Sequence, residues 1–395
     1  MASTLISPGY SEQSTMLTSW NTEEVFLDGD HYFDRILKDI QSAKSSITIE
    51  VYMFNDDLLG REVAHHLIAA HARGVKVEVI VDGMGSHRFF DFLYGEFLKN
   101  HLAVKVYNPL PFVHPYYGQL TFTKKIYWLI NRLIKLNKRD HRKIFTIDET
   151  IMYVGSFNVT VEHTLKSDHK PWKDMGVRVT GDQVKFAVLN FKKNWKITDF
   201  YQYRKKIRSL KLPSWRFSPL RLNNTLFMRR YFNKNFNQRI FKSKKRIWLM
   251  TPYFIPERKL VMGLARAAKR GVDVRLLIAS KTDVELFRTL QYFYYPFLIK
   301  SGVKVFQYTD TVLHAKNYII DEWVTVGSSN LNHRSLMHDL EVDLAIQDKV
   351  NLKMIEDHFE SSVKNLEALS FESLRQRSLW DKIMSGMYFI FRYWF

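Results

Sequence analysis

Residues 72–83 read ARGVKVEVIVDG and residues 269–280 read KRGVDVRLLIAS, and this pair decides the fold. In each, an Arg-Gly step closes a helical pattern and a run of β-branched and aliphatic residues opens a strand. Before the first copy come a strand pattern at 46–54 (SITIEVYMF) and a helical spacing over 58–73. Before the second come a strand at 246–254 and a helix over 256–270, opened by Pro256. Strand, helix and parallel strand make a βαβ unit, which calls for a right-handed crossover and an α/β sheet. A further strand follows each time, AVKVY at 103–107 and GVKVF at 302–306. The chain is therefore predicted to be a duplicated α/β domain.

Its 395 residues exceed the roughly 250–300 that one core serves. The predicted organisation is a first domain at 22–190, a bridge at 191–240, a second domain at 241–370 and a tail at 371–395. With 46% apolar and 25% charged residues the chain is not disordered. Lys and Arg number 59 against 40 acids, a formal charge of +19 that points to a polyanionic partner, either nucleic acid or an anionic membrane face. Cysteine is absent, which excludes disulfides, thiolate catalysis and Cys-based zinc sites. The first twenty residues lack the basic start and apolar core of a signal peptide, and no run of about 20 apolar residues occurs. A cytoplasmic protein is expected, whatever surface it touches.

The basic excess is concentrated. Between Lys192 and Arg246 lie eighteen Lys or Arg and a single acid, Asp199, interleaved with aromatics such as Trp195, Trp215, Phe227 and Phe236. That composition suits single-stranded nucleic acid or an anionic bilayer equally. The first half also carries an insertion of about 26 residues, within 110–138, where KKIYWLINRLIKLNKR sets Ile126, Leu129, Ile130 and Leu133 on one helical face amid basic residues. Such a helix fits a lipid surface, or simply packs. The aromatic tail WDKIMSGMYFIFRYWF at 380–395 is read as a further interfacial anchor.

Two motifs carry the chemistry. His141-Arg-Lys143-Ile-Phe-Thr-Ile-Asp148 precedes Gly155-Ser156-Phe157-Asn158, and His314-Ala-Lys316-Asn-Tyr-Ile-Ile-Asp321 precedes Gly327-Ser328-Ser329-Asn330. Each reads as a hairpin with its Asp at the turn. His and Lys, two apart on a strand, share a face, and the Gly-Ser-x-Asn group ends the returning strand beside them. The second turn is one residue shorter than the first. A phosphodiester repels nucleophiles and its leaving alkoxide needs a proton. One imidazole can attack phosphorus while a second, on the opposite side, protonates the departing oxygen. Lysines and asparagines around the equatorial oxygens stabilise the transition state without a metal. Neither half suffices alone, which explains the duplication.

These paired motifs resemble the phospholipase D superfamily. The flanks EVYMFNDDLLGREV, TPYFIPERKLVMGLARAAKRGVDVRLLI and VGSSNLNHRSLMHDLEVDL are most similar to bacterial cardiolipin synthases of the short form without amino-terminal membrane helices. The resemblance implies two tandem phospholipase D-like domains related by a pseudo-twofold, an active site at their interface, a phosphohistidine intermediate, and no metal or cofactor. The catalytic set it implies is His141, Lys143, Asp148, His314, Lys316 and Asp321. His141 is the nucleophile and His314 the acid and base, an order that the symmetric motifs leave open. Ser156, Asn158, Ser328 and Asn330 hold the phosphate, and Asp174 and Glu341 orient the histidines. Asp148 and Asp321, though motif members, stand where they would satisfy turn amides away from the phosphorus. His333 occupies a position where the family has proline and reads as a loop residue.

The resulting expectation is phosphatidyl transfer that makes cardiolipin from phosphatidylglycerol, at the cytoplasmic face of an anionic phospholipid membrane. A phospholipase D hydrolase and a metal-independent nuclease share the motifs and stay open.

Overall fold

The computed structural model describes residues 20–110, 138–198, 218–281, 289–377, 380 and 384–387. The insertion at 111–137, residues 199–217 of the bridge and 388–395 of the tail lie outside the described residues, and with them most of the anchoring expected of 124–139 and 380–395.

Two seven-stranded sheets carry the chain. In the first, β1 (Thr22–Phe26), β2 (Ser46–Val51), β3 (Lys76–Asp82), β4 (Ala103–Tyr107), β5 (Lys143–Ile147), β6 (Ile151–Gly155) and β7 (Gly176–Thr180) stand in the order β1-β7-β6-β5-β2-β3-β4. The second contains β8 (Leu220–Leu222), β9 (Arg246–Thr251), β11 (Asp273–Ala279), β12 (Lys304–Tyr308), β13 (Asn317–Ile320), β14 (Trp323–Gly327) and β16 (Val342–Ala345). Its order is β12-β11-β9-β13-β14-β16-β8. A two-residue parallel pair, β10 (Phe254–Ile255) with β15 (Leu331–Asn332), lies beside it. Strand for strand the sheets match: β2-β3-β4 and β9-β11-β12 are parallel, and the other neighbours antiparallel. The βαβ reading holds in both halves.

The sequence dictates this locally. β2 and β3 are buried along nearly their whole length, and strands covered on both faces read as continuous aliphatic runs. The crossover helix Leu58–Ala72 begins at Asp57, whose carboxylate accepts from the Gly60 amide at 2.9 Å. It ends at Gly74 (φ 92°), and its counterpart Arg258–Lys269 ends at Gly271 (φ 89°), a left-handed position that glycine adopts without strain. The motif hairpins form as expected. The last pair is Ile147↔Ile151 in the first and Ile320↔Trp323 in the second, so the second turn is one residue tighter.

The bridge expected at 191–240 does not form a separate unit in its described part. Residues 191–197 complete the helix Val184–Ile197, β8 is an edge strand of the second sheet, and Phe236 and Ile240 of the helix Leu226–Lys242 are buried in the second lobe's outer core. β8 and this helix repeat β1 and the helix Gly29–Ser42, so the second repeat begins near 220, not 241.

Each sheet packs its outer face against its own helices. The inner faces share a third core, in which Met152, Val154, Val177 and Val179 of the first lobe join Met250, Ile319, Val326 and Val342 of the second. The lobes are thus joined by buried apolar surface, and the motif strands lie at that seam.

Candidate active site

Backbone hydrogen bonds join the two lobes at both motifs. Leu340 donates its amide to Arg139 O and His141 donates to Leu340 O, each at 2.9 Å. On the other side Lys173 donates to Val312 O at 2.8 Å and His314 donates to Lys173 O at 2.9 Å. Each His-x-Lys segment is therefore paired with the stretch of the opposite lobe that precedes its acid. The consequence is a crossed arrangement. Glu341 of the second lobe meets His141 Nδ1 at 3.1 Å, and Asp174 of the first meets His314 Nδ1 at 2.8 Å. Each histidine is held by the half it does not belong to, and the Ser328 carbonyl also accepts from His141 Nδ1 at 3.1 Å.

The lysines complete the seam. Lys143 Nζ donates to His141 O and Lys316 Nζ to His314 O, both at 2.6 Å, with both side chains buried. Burial, and then the charge of Lys316, pushes Lys143 well below the usual lysine range. Two lysines that repel each other's charge in a desolvated place favour an anion between them. The same forces act on the imidazoles. His141 is driven well below its ordinary value by burial and by Lys143 and Lys316. His314 is lowered by burial and Lys316 against the upward pull of Asp174.

Asn158 and Asn330 are buried, and among the described residues their side-chain oxygens have no hydrogen-bond partner, as suits amides kept for a ligand. The glycines before them are a matter of space. A Cβ on Gly155 would lie 2.5 Å from Met175 O, and one on Gly327 would lie 2.3 Å from Val342 O, so only glycine lets the acid-bearing strand approach.

Two sequence expectations are corrected. Ser156 and Ser328 were expected to hold phosphate, but their hydroxyls are engaged elsewhere. Ser156 Oγ accepts from Met175 N at 3.1 Å and donates to Met175 O. Ser328 Oγ accepts from Val342 N at 3.0 Å and donates to Glu341. They stitch the acid-bearing strands to the motif strands. Asp148 and Asp321 leave the catalytic set as well. Asp148 accepts from the amides of Ser45 (2.7 Å), Lys44 (3.0 Å) and Ser46 (3.1 Å), and Asp321 from those of Lys245 (2.8 Å), Lys244 (3.0 Å) and Arg246 (3.1 Å). Each lies five positions along the strand from its lysine, about 16 Å. Partial burial pushes Asp148 up, but the amides prevail and hold it below the ordinary carboxylate range. Its stabilising effect is therefore full above about pH 4 and fades as pH falls through the lowered value. Asp148→Ala should cost about 1–2 kcal/mol of stability in a denaturant titration and leave kcat within about twofold.

The sequence missed one residue. His163, fully buried, donates Nδ1–H to Asp174 Oδ2 at 2.6 Å and accepts the Asn158 amide on Nε2 at 3.2 Å. His333, the third histidine singled out in the sequence, lies instead beside Glu257 and His338. His163, Asp174 and His314 are the one trio among the described residues with metal-ligand atoms within 4.8 Å of one another. Both Asp174 oxygens and three of the four ring nitrogens are already hydrogen-bonded, so the trio is built as a relay and not as a chelate.

Residues 36–169 and 236–363 each match the family described as "Cardiolipin synthase, PLD-like domain". The chain belongs to this family. Among curated relatives of this cardiolipin synthase family member, Cardiolipin synthase of Listeria welshimeri is 31% identical over 94% of the chain and 75% of the relative. Cardiolipin synthase 1 of Staphylococcus aureus is 29% identical over 95% of the chain and 74% of the relative. Among solved structures, the phosphatidylserine synthase of Haemophilus influenzae shares the fold, with a TM-score of 0.67 at 14% identity over 94% of this chain and 95% of that one. Among the described residues, no helix of this family member is long and apolar enough to cross a membrane.

Proposed function

We propose that the chain is a phosphatidyltransferase that makes cardiolipin from two phosphatidylglycerols. His141 Nε2 attacks the phosphorus of the first lipid, the bond to the headgroup glycerol breaks, and His314 delivers its Nε2 proton to that oxygen. A terminal hydroxyl of the second phosphatidylglycerol then loses its proton to His314 as its oxygen attacks phosphorus. The P–N bond breaks, and cardiolipin and neutral His141 remain. Lys143, Lys316, Asn158 and Asn330 take the phosphoryl oxygens. The crossed His–acid pairs carry this reading, because they bring one histidine from each lobe to a seam that both lysines line.

The unequal acids favour the order of events. Burial raises Glu341 to about 7, whereas Asp174, despite burial, is held well below the carboxylate range by His314 and His163. A firmly ionised partner supports an imidazolium, which suits His314 as acid and base, while a more readily neutralised Glu341 leaves His141 a free base to attack. A phosphodiester monoanion arriving at Lys316 offsets one of the causes that keep His314 low.

The lipid surface is read as the anionic cytoplasmic face of the cell membrane, met peripherally. The helix Leu226–Lys242 contains no acid, and it exposes Phe227 and Phe241 with Arg230 and Lys234 between them. Purified protein given phosphatidylglycerol vesicles should yield cardiolipin and free glycerol. Phosphatidic acid without cardiolipin would make it a hydrolase, and cleavage of DNA or RNA with no lipid turnover would reject the lipid reading.

A further inference from the structure

His163 belongs to no motif, yet it touches both halves of the chemistry. Its tautomer is set by its hydrogen-bond partners. The Asn158 amide can only donate, so Nε2 is the unprotonated nitrogen, and Nδ1 carries the hydrogen that Asp174 Oδ2 receives. The other Asp174 oxygen receives His314 Nδ1–H. One unbranched path therefore runs from the phosphate-binding asparagine through His163 and Asp174 to the acid–base histidine. The imidazole is walled by Phe157 at 5.8 Å, Trp172 at 5.3 Å and His314 at 5.5 Å, ring centre to ring centre. The short turn Val161–His163 that presents it is pinned by Asp57, which accepts from Thr160 Oγ1 at 2.8 Å and Val161 N at 3.1 Å.

The second lobe shows what this residue does. Ser335 stands five residues after Asn330, as His163 stands five after Asn158, and its hydroxyl donates to Glu341 Oε1 at 2.6 Å. The two lobes thus use one device with different parts, a long acid with a short donor in one and a short acid with a long donor in the other. Aspartate lacks the methylene that lets Glu341 reach, and the imidazole closes that gap.

We propose that His163 is a positioning residue for the transfer: it aims the Asp174 carboxylate at His314 and ties the Asn158 turn to the same acid. This rests on the phosphodiester-transfer reading only for the kinetic part of its test. The groups that face His314 are Asp174, Lys316 and His163, and those near Asp174 also include Lys143 and Tyr32. Of these, Asp174 pulls His314 up, so a carboxylate no longer aimed by His163 should let the His314 titration fall.

Four variants test the inference: His163→Ser, Asp174→Glu, the double variant that copies the Ser335–Glu341 pair, and His163→Gln, which keeps a donor and an acceptor in similar volume. The first readout is the NMR titration of His314, which needs no substrate. The second is the pH profile of glycerol release from phosphatidylglycerol vesicles. In His163→Ser, the His314 titration and the alkaline limb should move down by about 0.5–1 pH unit, and kcat should fall about 10- to 100-fold. The double variant should recover most of that loss, and His163→Gln should fall between. Folded His163→Ser and His163→Gln proteins with unchanged kcat and His314 titration would overturn the proposal, as would a double variant no better than its parents. If the wild type releases no glycerol while the titration shifts as expected, the lipid assignment falls and the role of His163 stands.

Discussion

His141→Ala is expected to lower phosphatidyl transfer by at least about 10⁴-fold and to remove every trace of a covalent intermediate, because it removes the proposed nucleophile while His314 is committed to the proton. His314→Ala should be equally damaging with glycerol as leaving group, where a proton must be supplied. The two should part on a substrate with an activated leaving group. With a 4-nitrophenyl phosphodiester the first step needs no acid, so His314→Ala should still show a burst of one nitrophenol per chain and then stall. His141→Ala should show none. Stopped-flow absorbance reads this directly. A burst in His141→Ala and none in His314→Ala would reverse the roles while keeping the mechanism. The crossed acids argue against that reversal, since Asp174, the more firmly ionised, contacts His314.

The second large effect separates activity from stability. Lys143→Met removes a buried ammonium that burial and Lys316 already disfavour. Its folded pKa is depressed, so at neutral pH the unfolded chain binds that proton more readily than the folded one. Stability therefore rises with pH from the lowered value up to about 10.5. Methionine abolishes this liability, although it leaves the His141 carbonyl without the 2.6 Å bond, a loss of about 1 kcal/mol. The variant should fold with Tm equal to or above the wild type at pH 7, and lose about 10²- to 10³-fold in kcat/KM. Calorimetry beside the vesicle assay checks both. A marked fall in Tm would mean that Lys143 holds the seam together and does not await an anion.

What the sequence disclosed, and what it hid, has physical reasons. The βαβ units were legible because β2-β3 and β9-β11 are covered on both faces and so carry long aliphatic runs. The motif histidines and lysines were legible because their spacing repeats. The extent of the second repeat was not: β8 has three residues, and the helix Leu226–Lys242 shows so many cations on its solvent side that composition suggested a bridge. Ser156 and Ser328 misled because a hydroxyl beside a phosphate site can equally satisfy a neighbouring strand, and here it does. The crossing of the acids is a property of the interface, so no single repeat records it. His163 left one trace, a five-residue interval after Asn158 that Ser335 repeats after Asn330. Histidine and serine do not look alike, and the likeness shows only once both are seen donating to an acid.

The most direct measurement is to stop the His314→Ala protein after mixing with phosphatidylglycerol vesicles bearing an activated headgroup, and to locate the covalent adduct by mass spectrometry under alkaline conditions. One phosphatidyl group per chain, on the peptide that contains His141, is the predicted result. An adduct on a serine, on a lysine or on another histidine, or a chain that stays unmodified while product forms, would contradict a transfer made by opposed histidines of the two lobes.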